Sequence, residues 1–279
     1  MINAGIKNTI YVVAAQSISL LLGITRTLIL PIMLGITNFG YWQVYMLYLS
    51  YVGIFALGYN DGIYLRYGKY EYDELPKNTF GPSIRLFVVF QLAIMFLAIA
   101  VISWEPDPSK QISILWASIN IPIAGLTGVL IYVLQITNQL KKYSFYTILD
   151  KVIVLITIIA FLLLRLDNFL GLIIVDTFAR IFVLGLMINS CREIIFGKGI
   201  SYKYALKEIS VNVSVGIRLM LANFAGMLMF GIGKFLVERT ASVEQYGIYS
   251  FAISTMNLVL VLIDRKSVVY GKIVVIGGS

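Results

Sequence analysis

The sequence predicts an all-α integral membrane protein of about eight transmembrane helices. Three observations carry that expectation. Apolar stretches, each near the roughly 20 residues needed to cross a bilayer core of about 30 Å, occupy most of the 279-residue chain. Hydrophobic residues make up 59% and charged residues only 13%, roughly half the charged share of a soluble domain. A soluble core cannot hide that much apolar surface. Lysine and arginine, finally, fall overwhelmingly in every other connection between the stretches.

Taken in order, the spans lie near 10–34, 41–60, 81–103, 112–135, 146–164, 169–190, 213–236 and 247–263. Each must be helical, because an isolated strand would leave its backbone groups unpaired in lipid. The first carries Pro31 and, well inside it, Arg26; a guanidinium at that depth costs several kcal/mol and calls for a protein interior, a polar cavity or a partner. The second is rich in tyrosine and ends near Asp61 and Arg66. The fourth contains Pro122 and the pair Gly125 and Gly128, which suits close helix packing. The sixth holds Asp176 and Arg180 one turn apart on one face. The seventh carries Arg218 near its start, Lys234 near its end and the glycines Gly226, Gly231 and Gly233; membrane helices tolerate such glycines and prolines, which mark bends.

Orientation follows from counting cations. One set of connections holds Lys7, Arg66, Lys69, Lys77, Lys141, Lys142, Arg192, Lys198, Lys203, Lys207, Arg265 and Lys266; the other holds Lys110, Arg165 and Arg239. The positive-inside rule puts the twelve in the cytoplasm and the three outside, so the N-terminus is cytoplasmic. Trp42, Trp104 and Trp116 then fall at the outer interface, and Tyr64, Tyr67, Tyr70, Tyr143, Tyr146, Tyr202 and Tyr204 at the inner one. The longest inner connection contains SYKYALKEISVN (Ser201 to Asn212), which suits either a helix lying on the anionic inner leaflet or a solvated linker helix.

Composition narrows the chemistry. Cys191 is the sole cysteine, so no intrachain disulfide forms, and the absence of histidine excludes histidine catalysis, histidine-ligated metals and a histidine proton relay. The formal charge of +8 follows from the loop bias and needs no nucleic-acid partner. No metal-ligand spacing, cofactor motif, nucleotide-binding glycine loop or nucleophile–base arrangement is present. The apolar run after Lys7 exceeds a secretory h-region and ends without a clear cleavage site.

Two outer hairpins repeat. GITNFGYWQVY (Gly35 to Tyr45) aligns with SVEQYGIYSFA (Ser242 to Ala252), matching Phe39-Gly40 to Tyr246-Gly247 and bringing Arg26 within one position of Lys234. Repeated halves are a common transporter design. The expected organisation is a six-helix lobe over 1–190, a cytoplasmic linker with a candidate interfacial helix over 191–212, the first two helices of a truncated second lobe over 213–264, and a tail of uncertain origin over 265–279.

The helix with an internal arginine, followed by PIMLGITNFGYW, resembles the first hairpin of bacterial polysaccharide exporters and O-antigen flippases. KFLVERTASVEQYGIYSFAIS resembles their seventh-to-eighth helix hairpin. These families belong to the multidrug/oligosaccharidyl-lipid/polysaccharide exporter superfamily. The resemblance implies two six-helix lobes around a cavity that opens alternately to each side of the bacterial cytoplasmic membrane. It implies a cargo of oligosaccharide on a polyprenyl diphosphate, contacts with membrane lipids and with other proteins of polysaccharide assembly, and no enzymatic step or cofactor. Cavity cations would face the diphosphate, a role that transfers to Arg26 and, on looser alignment, to Arg218 and Lys234.

Each charged residue also has a structural alternative. Arg26 could snorkel over roughly 12 Å of helix, at ~1.5 Å per residue, instead of binding phosphate. Asp176 and Arg180 suit an ion pair that makes both tolerable in lipid, or a cavity element in which cargo competes for Arg180. Asp61 and Arg66 are candidates for an inner gate pair. A cation-coupled drug exporter of the same superfamily is disfavoured by the sign of the charge, since Arg26 replaces an acid. A membrane-embedded polymerase or glycosyltransferase is disfavoured by outer connections of roughly half a dozen residues.

The cation asymmetry generates a topology test. Cysteines placed at Asn8, Tyr143 and Ser201 should be protected from an impermeant thiol reagent in intact cells, and those at Asn38 and Ser109 labelled. Labelling of position 201 from outside would overturn the orientation.

Overall fold

In a computed structural model of the protein, residues 4–197 and 202–276 are described, and every regular element among them is a helix. This is the arrangement lipid demands of backbone groups that find no water to pair with. Lys198 and Ser201, in the inter-lobe connection, and residues 277–279 of the tail lie outside the described residues.

The first element, α1, covers Ala4–Tyr51, but it is not one rod. Gly35 sits at φ 70° and ψ 171°, a backbone conformation that glycine adopts without penalty. On a straight helix Arg26 and Tyr45 would stand about 28 Å apart at ~1.5 Å per residue. Both nevertheless hydrogen-bond to the carboxylate of Asp176, at 3.0 and 2.8 Å. The chain therefore reverses at Gly35, and α1 is a hairpin whose arms, 4–34 and 36–51, correspond to the first two expected spans.

The second arm breaks where an uninterrupted helix was expected. After Tyr51 comes a 3-10 turn, Val52–Ala56, then Leu57 and Gly58 in the left-handed region at φ 50° and 78°. A new helix, α2 (Tyr59–Tyr67), continues inward. The remaining helices are α3 (Lys77–Ile102), α4 (Pro108–Ile136), α5 (Leu140–Leu163), α6 (Phe169–Ser190), the single turn α7 (Arg192–Ile195), α8 (Tyr202–Thr240) and α9 (Val243–Ile276). Two helix starts are capped by side chains: Asp107 accepts from the backbone N–H groups of Ser109 and Lys110, and Asn168 from that of Leu170.

Six helices among the described residues are long and apolar enough to cross a membrane: Ser17–Ala56, Lys77–Ile102, Pro108–Ile136, Leu140–Leu163, Phe169–Ser190 and Lys203–Met229. The first, at 40 residues, supplies both arms of the hairpin. The eighth expected span falls in α9, whose side chains are described only as far as Leu260. Large apolar residues such as Ile32, Phe96, Leu97 and Leu163 point outward, as lipid-facing positions do. One buried cluster gathers Tyr59, Phe80, Phe87, Leu130 and Met187; a second gathers Leu30, Trp42, Tyr45, Ile121 and Ile173.

The repeated hairpins meet each other reciprocally. A Cβ on Gly40 would collide with the backbone oxygen of Val243, and one on Gly247 would lie 3.0 Å from the backbone oxygen of Ile36. The repeat alignment equates Gly40 with Gly247 and Ile36 with Val243, so each hairpin makes the contact that the other makes. This is an isologous interface within one chain. The Tyr246 hydroxyl donates to Gln43 O at 3.2 Å, and Thr37 to Glu244 at 3.1 Å.

Trp42 is buried against Tyr45, with ring centroids 5.4 Å apart, and packs in the core. Trp104 stays exposed, while Tyr67 and Tyr146 are buried. Residues 202–212 form the opening turns of α8, and residues 265–276 of the expected tail continue α9. The start of α8 packs closely on α2 through Gly62 and Gly216. A Cβ on Gly62 would strike the Asn212 backbone, and one on Gly216 the backbone of Gly58. Cys191 is fully buried and its thiol is pushed up to about 11 by burial, which keeps it in the unreactive thiol form.

Overpacking a well-packed contact costs roughly 1–3 kcal/mol. Gly62→Ala should therefore lower the thermal unfolding midpoint of the detergent-purified chain. Gly185→Ala, where nothing lies within 4 Å, should not. Equal midpoints for the two variants would contradict the close α2–α8 approach.

Candidate functional site

The site is built around a single carboxylate. Asp176, on α6, has 1% of its side chain accessible. Arg180, one turn further on, donates Nε to its Oδ2 at 2.9 Å, and Arg26 donates an η nitrogen to its Oδ1 at 3.0 Å. The Tyr45 hydroxyl donates to Oδ2 at 2.8 Å. Three donors from three helical segments thus converge on one acid. Behind them Asn120 Nδ2 donates to the Thr177 hydroxyl at 3.1 Å and to Trp116 O at 2.8 Å, extending the network onto α4.

The network has spare donors. Arg26 Nε is buried without a hydrogen-bond partner, and only one nitrogen of that guanidinium is committed to Asp176. Arg180 keeps 27% of its side chain accessible and lines a cavity of about 310 Å³ between α4, α5 and α6. The same cavity is lined by Asp150, Lys151, Tyr146, Thr147 and Thr127. Lys151 also donates its ammonium to the Ser19 hydroxyl on the first arm of α1. Arg26, Arg180 and Lys151 outnumber Asp176 and Asp150 by one, so the local field favours an anion.

Asp176 and Arg180 form the intrahelical pair, and Arg26 shares it. Removing the acid would leave two guanidiniums unpaired at depth, at a cost of roughly 3–5 kcal/mol for a broken buried pair. Tyr45, Asn120 and Thr177 carried no signal in the sequence, because tyrosine, asparagine and threonine within apolar runs look like packing residues. Asp150 and Lys151, adjacent on α5, also form part of the cavity wall.

The other candidate residues fall elsewhere. Arg66 does not pair with Asp61; it reaches across to α8, where it meets Glu208 at 2.6 Å and Asn212 Oδ1 at 2.6 Å. The Tyr67 hydroxyl donates to the same glutamate at 2.7 Å. Asp61 turns toward Tyr132, whereas Arg66 faces Glu208 and Asn212 of α8. Arg218 is exposed on α8, and Lys234 is half-buried; neither has an ion pair among the described residues, and neither joins Arg26. Near the C-terminal end of α8, Glu238 is fully buried and takes Lys110 at 3.4 Å, Arg239 at 3.4 Å and the Tyr48 hydroxyl at 3.3 Å. Arg239 also reaches Glu105 at 3.3 Å. Polar clasps therefore tie α8 to the first six spans at both of its ends.

No group of three or more acidic or cysteine side chains among the described residues is placed to hold a metal. Compared with known proteins, residues 6–265 match the family model described as polysaccharide biosynthesis protein. No curated protein and no solved structure matches the chain.

Proposed function

Since the chain belongs to the polysaccharide biosynthesis protein family, a family of multi-pass membrane proteins, we propose that it moves a polyprenyl-diphosphate-linked oligosaccharide across the bacterial cytoplasmic membrane by alternating access. The observation that carries this reading is the under-committed Arg26 guanidinium beside Asp176 and Arg180, next to a cavity with surplus positive charge. A guanidinium presents a planar fork that matches phosphate oxygens, and a charge-assisted bond of that kind is about twice as strong as a neutral one. Diphosphate oxygens entering the cavity would compete with Asp176 for Arg180 and Arg26. Asp150, Thr147 and Tyr146 offer acceptors and hydroxyls to the attached sugar, while the prenyl tail stays in lipid.

Alternating access then requires the clasps on α8 to open in turn. Parting Arg66 from Glu208 and Asn212 frees the inner end; parting Lys110 and Arg239 from Glu238 and Glu105 frees the outer end. Arg66 and Arg239 are partly exposed, whereas Glu238 is fully buried, so freeing the latter requires that water, a headgroup or cargo replace its lost pairing. Lys234 and Arg218, on α8, are assigned to the opposite side of the pathway, where cargo would meet them once a clasp has opened.

Expressed from its natural gene in a strain lacking its own flippase, Arg26→Ala should abolish surface-glycan export. Its membrane abundance should remain normal, because Asp176 keeps Arg180 and Tyr45. Arg26→Lys should retain part of the activity, since the charge survives without the fork. Full export by the alanine variant would assign Arg26 a purely structural role.

A further inference from the structure

The break in the second span has no role in the anion site, yet it surrounds a second cavity. Residues Ser50 to Asn60 curl around a space of about 350 Å³, closed on the far side by Gly128 and Tyr132 of α4 and by Asn223 of α8. Asp61 lines that space and is buried, with 9% of its surface exposed. Unlike Asp176, it has no ion pair among the described residues; its partner is the Tyr132 hydroxyl. The nearest basic side chain on its own helix, Arg66, is committed to Glu208 and Asn212. An ionised carboxylate buried without a counter-charge is costly, so it demands either a proton or a cation.

The amides around the break face the same way. Asn60 spends its Nδ2 on the backbone oxygen of Gly125, at 3.4 Å, which leaves Oδ1 buried without a donor. Gln91 spends its Nε2 on Phe55 O at 2.7 Å, inside the 3-10 turn, and its Oε1 is likewise unpartnered. Each nitrogen is fixed by a backbone carbonyl, so the orphaned atoms are oxygens. Gly125 and Gly128 make the room: a Cβ on Gly125 would lie 3.2 Å from the Gln91 amide, and one on Gly128 would meet Asn60 Nδ2. The glycine pair that the sequence suggested for helix packing is a cradle for two amides. The carbonyl end of the 36–51 arm also terminates at this cavity, adding the negative end of a helix dipole.

The buried side-chain atoms without a hydrogen-bond partner at the break are both acceptors, Asn60 Oδ1 and Gln91 Oε1, and they stand beside the Asp61 carboxylate and the carbonyl end of a broken helix. We infer that this cavity is a binding site for a hard monovalent metal cation of the sodium class, held by Asp61 and Asn60 Oδ1 with carbonyls of the 50–58 break. Unwound transmembrane segments coordinate sodium in this manner in secondary transporters generally. The site stands on its own geometry; that its ion drives the transport cycle rests on the flippase reading.

The test is binding, with no transport readout, so that failure of the site and failure of the flippase reading are separable. The full chain is purified in detergent, and its thermal midpoint and retention of radioactive sodium are measured against NaCl at constant ionic strength with choline chloride. The expected result is a saturable rise in midpoint and about one sodium per chain, with the apparent affinity at least tenfold weaker in Asp61→Asn. Gly128→Ala, which crowds Asn60 while leaving the acid in place, should weaken it less. Equal midpoints in NaCl and choline chloride, an undiminished response in Asp61→Asn, or a response to acidification alone would each overturn the proposal. Should Asp61→Asn fail to fold, the comparison of NaCl with choline on the unaltered chain still decides.

Discussion

A carboxylate in a membrane interior must be neutralised, and the way Asp176 is neutralised dictates much of this structure. Its partners come from both arms of the α1 hairpin and from the next turn of α6. Arg26 and Tyr45 can reach one acid only if the chain reverses between them, so the network and the turn at Gly35 require each other. The same shell that makes Asp176 tolerable makes two guanidiniums tolerable as well. Their combined charge exceeds that of the acid, and the excess is what a phosphate group would meet. On the proposed reading, stability and recognition draw on the same three side chains.

Around that fixed point the packing is close but polar at its edges. Glycines set the α2–α8 contact and the reciprocal contact of the repeated hairpins, so backbones approach without interlocking side chains. In lipid, where apolar burial gives little drive for helix association, such small-residue surfaces supply much of the packing. The ends of α8 are held by charged clasps, one with partly exposed Arg66 and one centred on the buried Glu238. A glycine-lined interface with ionic latches suits a helix that rocks. The 52–58 break, held by Gln91, sits beside that interface and offers oxygens instead of positive charge.

The sequence made the spans legible because hydropathy over some 20 residues is set by bulk composition and tolerates local error. Arg26, Asp176 and Arg180 stood out because charge in an apolar run is rare, and the i to i+4 spacing announced one pair. The third partner did not announce itself, since Arg26 and Asp176 are brought together only by the fold. The same holds for Arg66 with Glu208, whose local neighbour Asp61 was the misleading choice. The helix break was hidden because its residues, VGIFALG, are as apolar as an intact span; only the left-handed backbone at Leu57 and Gly58 reveals it. The hairpin repeat was legible as a pattern of aromatic and glycine residues, though not that the two copies would touch.

If Asp176 is the internal stand-in for cargo, it should act as a competitor. The direct measurement is the affinity of the purified chain for a short-chain prenyl diphosphate, in the natural protein and in Asp176→Asn. Neutralising the acid removes the competitor while an amide oxygen still accepts from Arg26, so affinity should rise severalfold, with each tenfold equal to about 1.4 kcal/mol. Unchanged or weaker binding by Asp176→Asn would contradict the competition on which the functional reading depends.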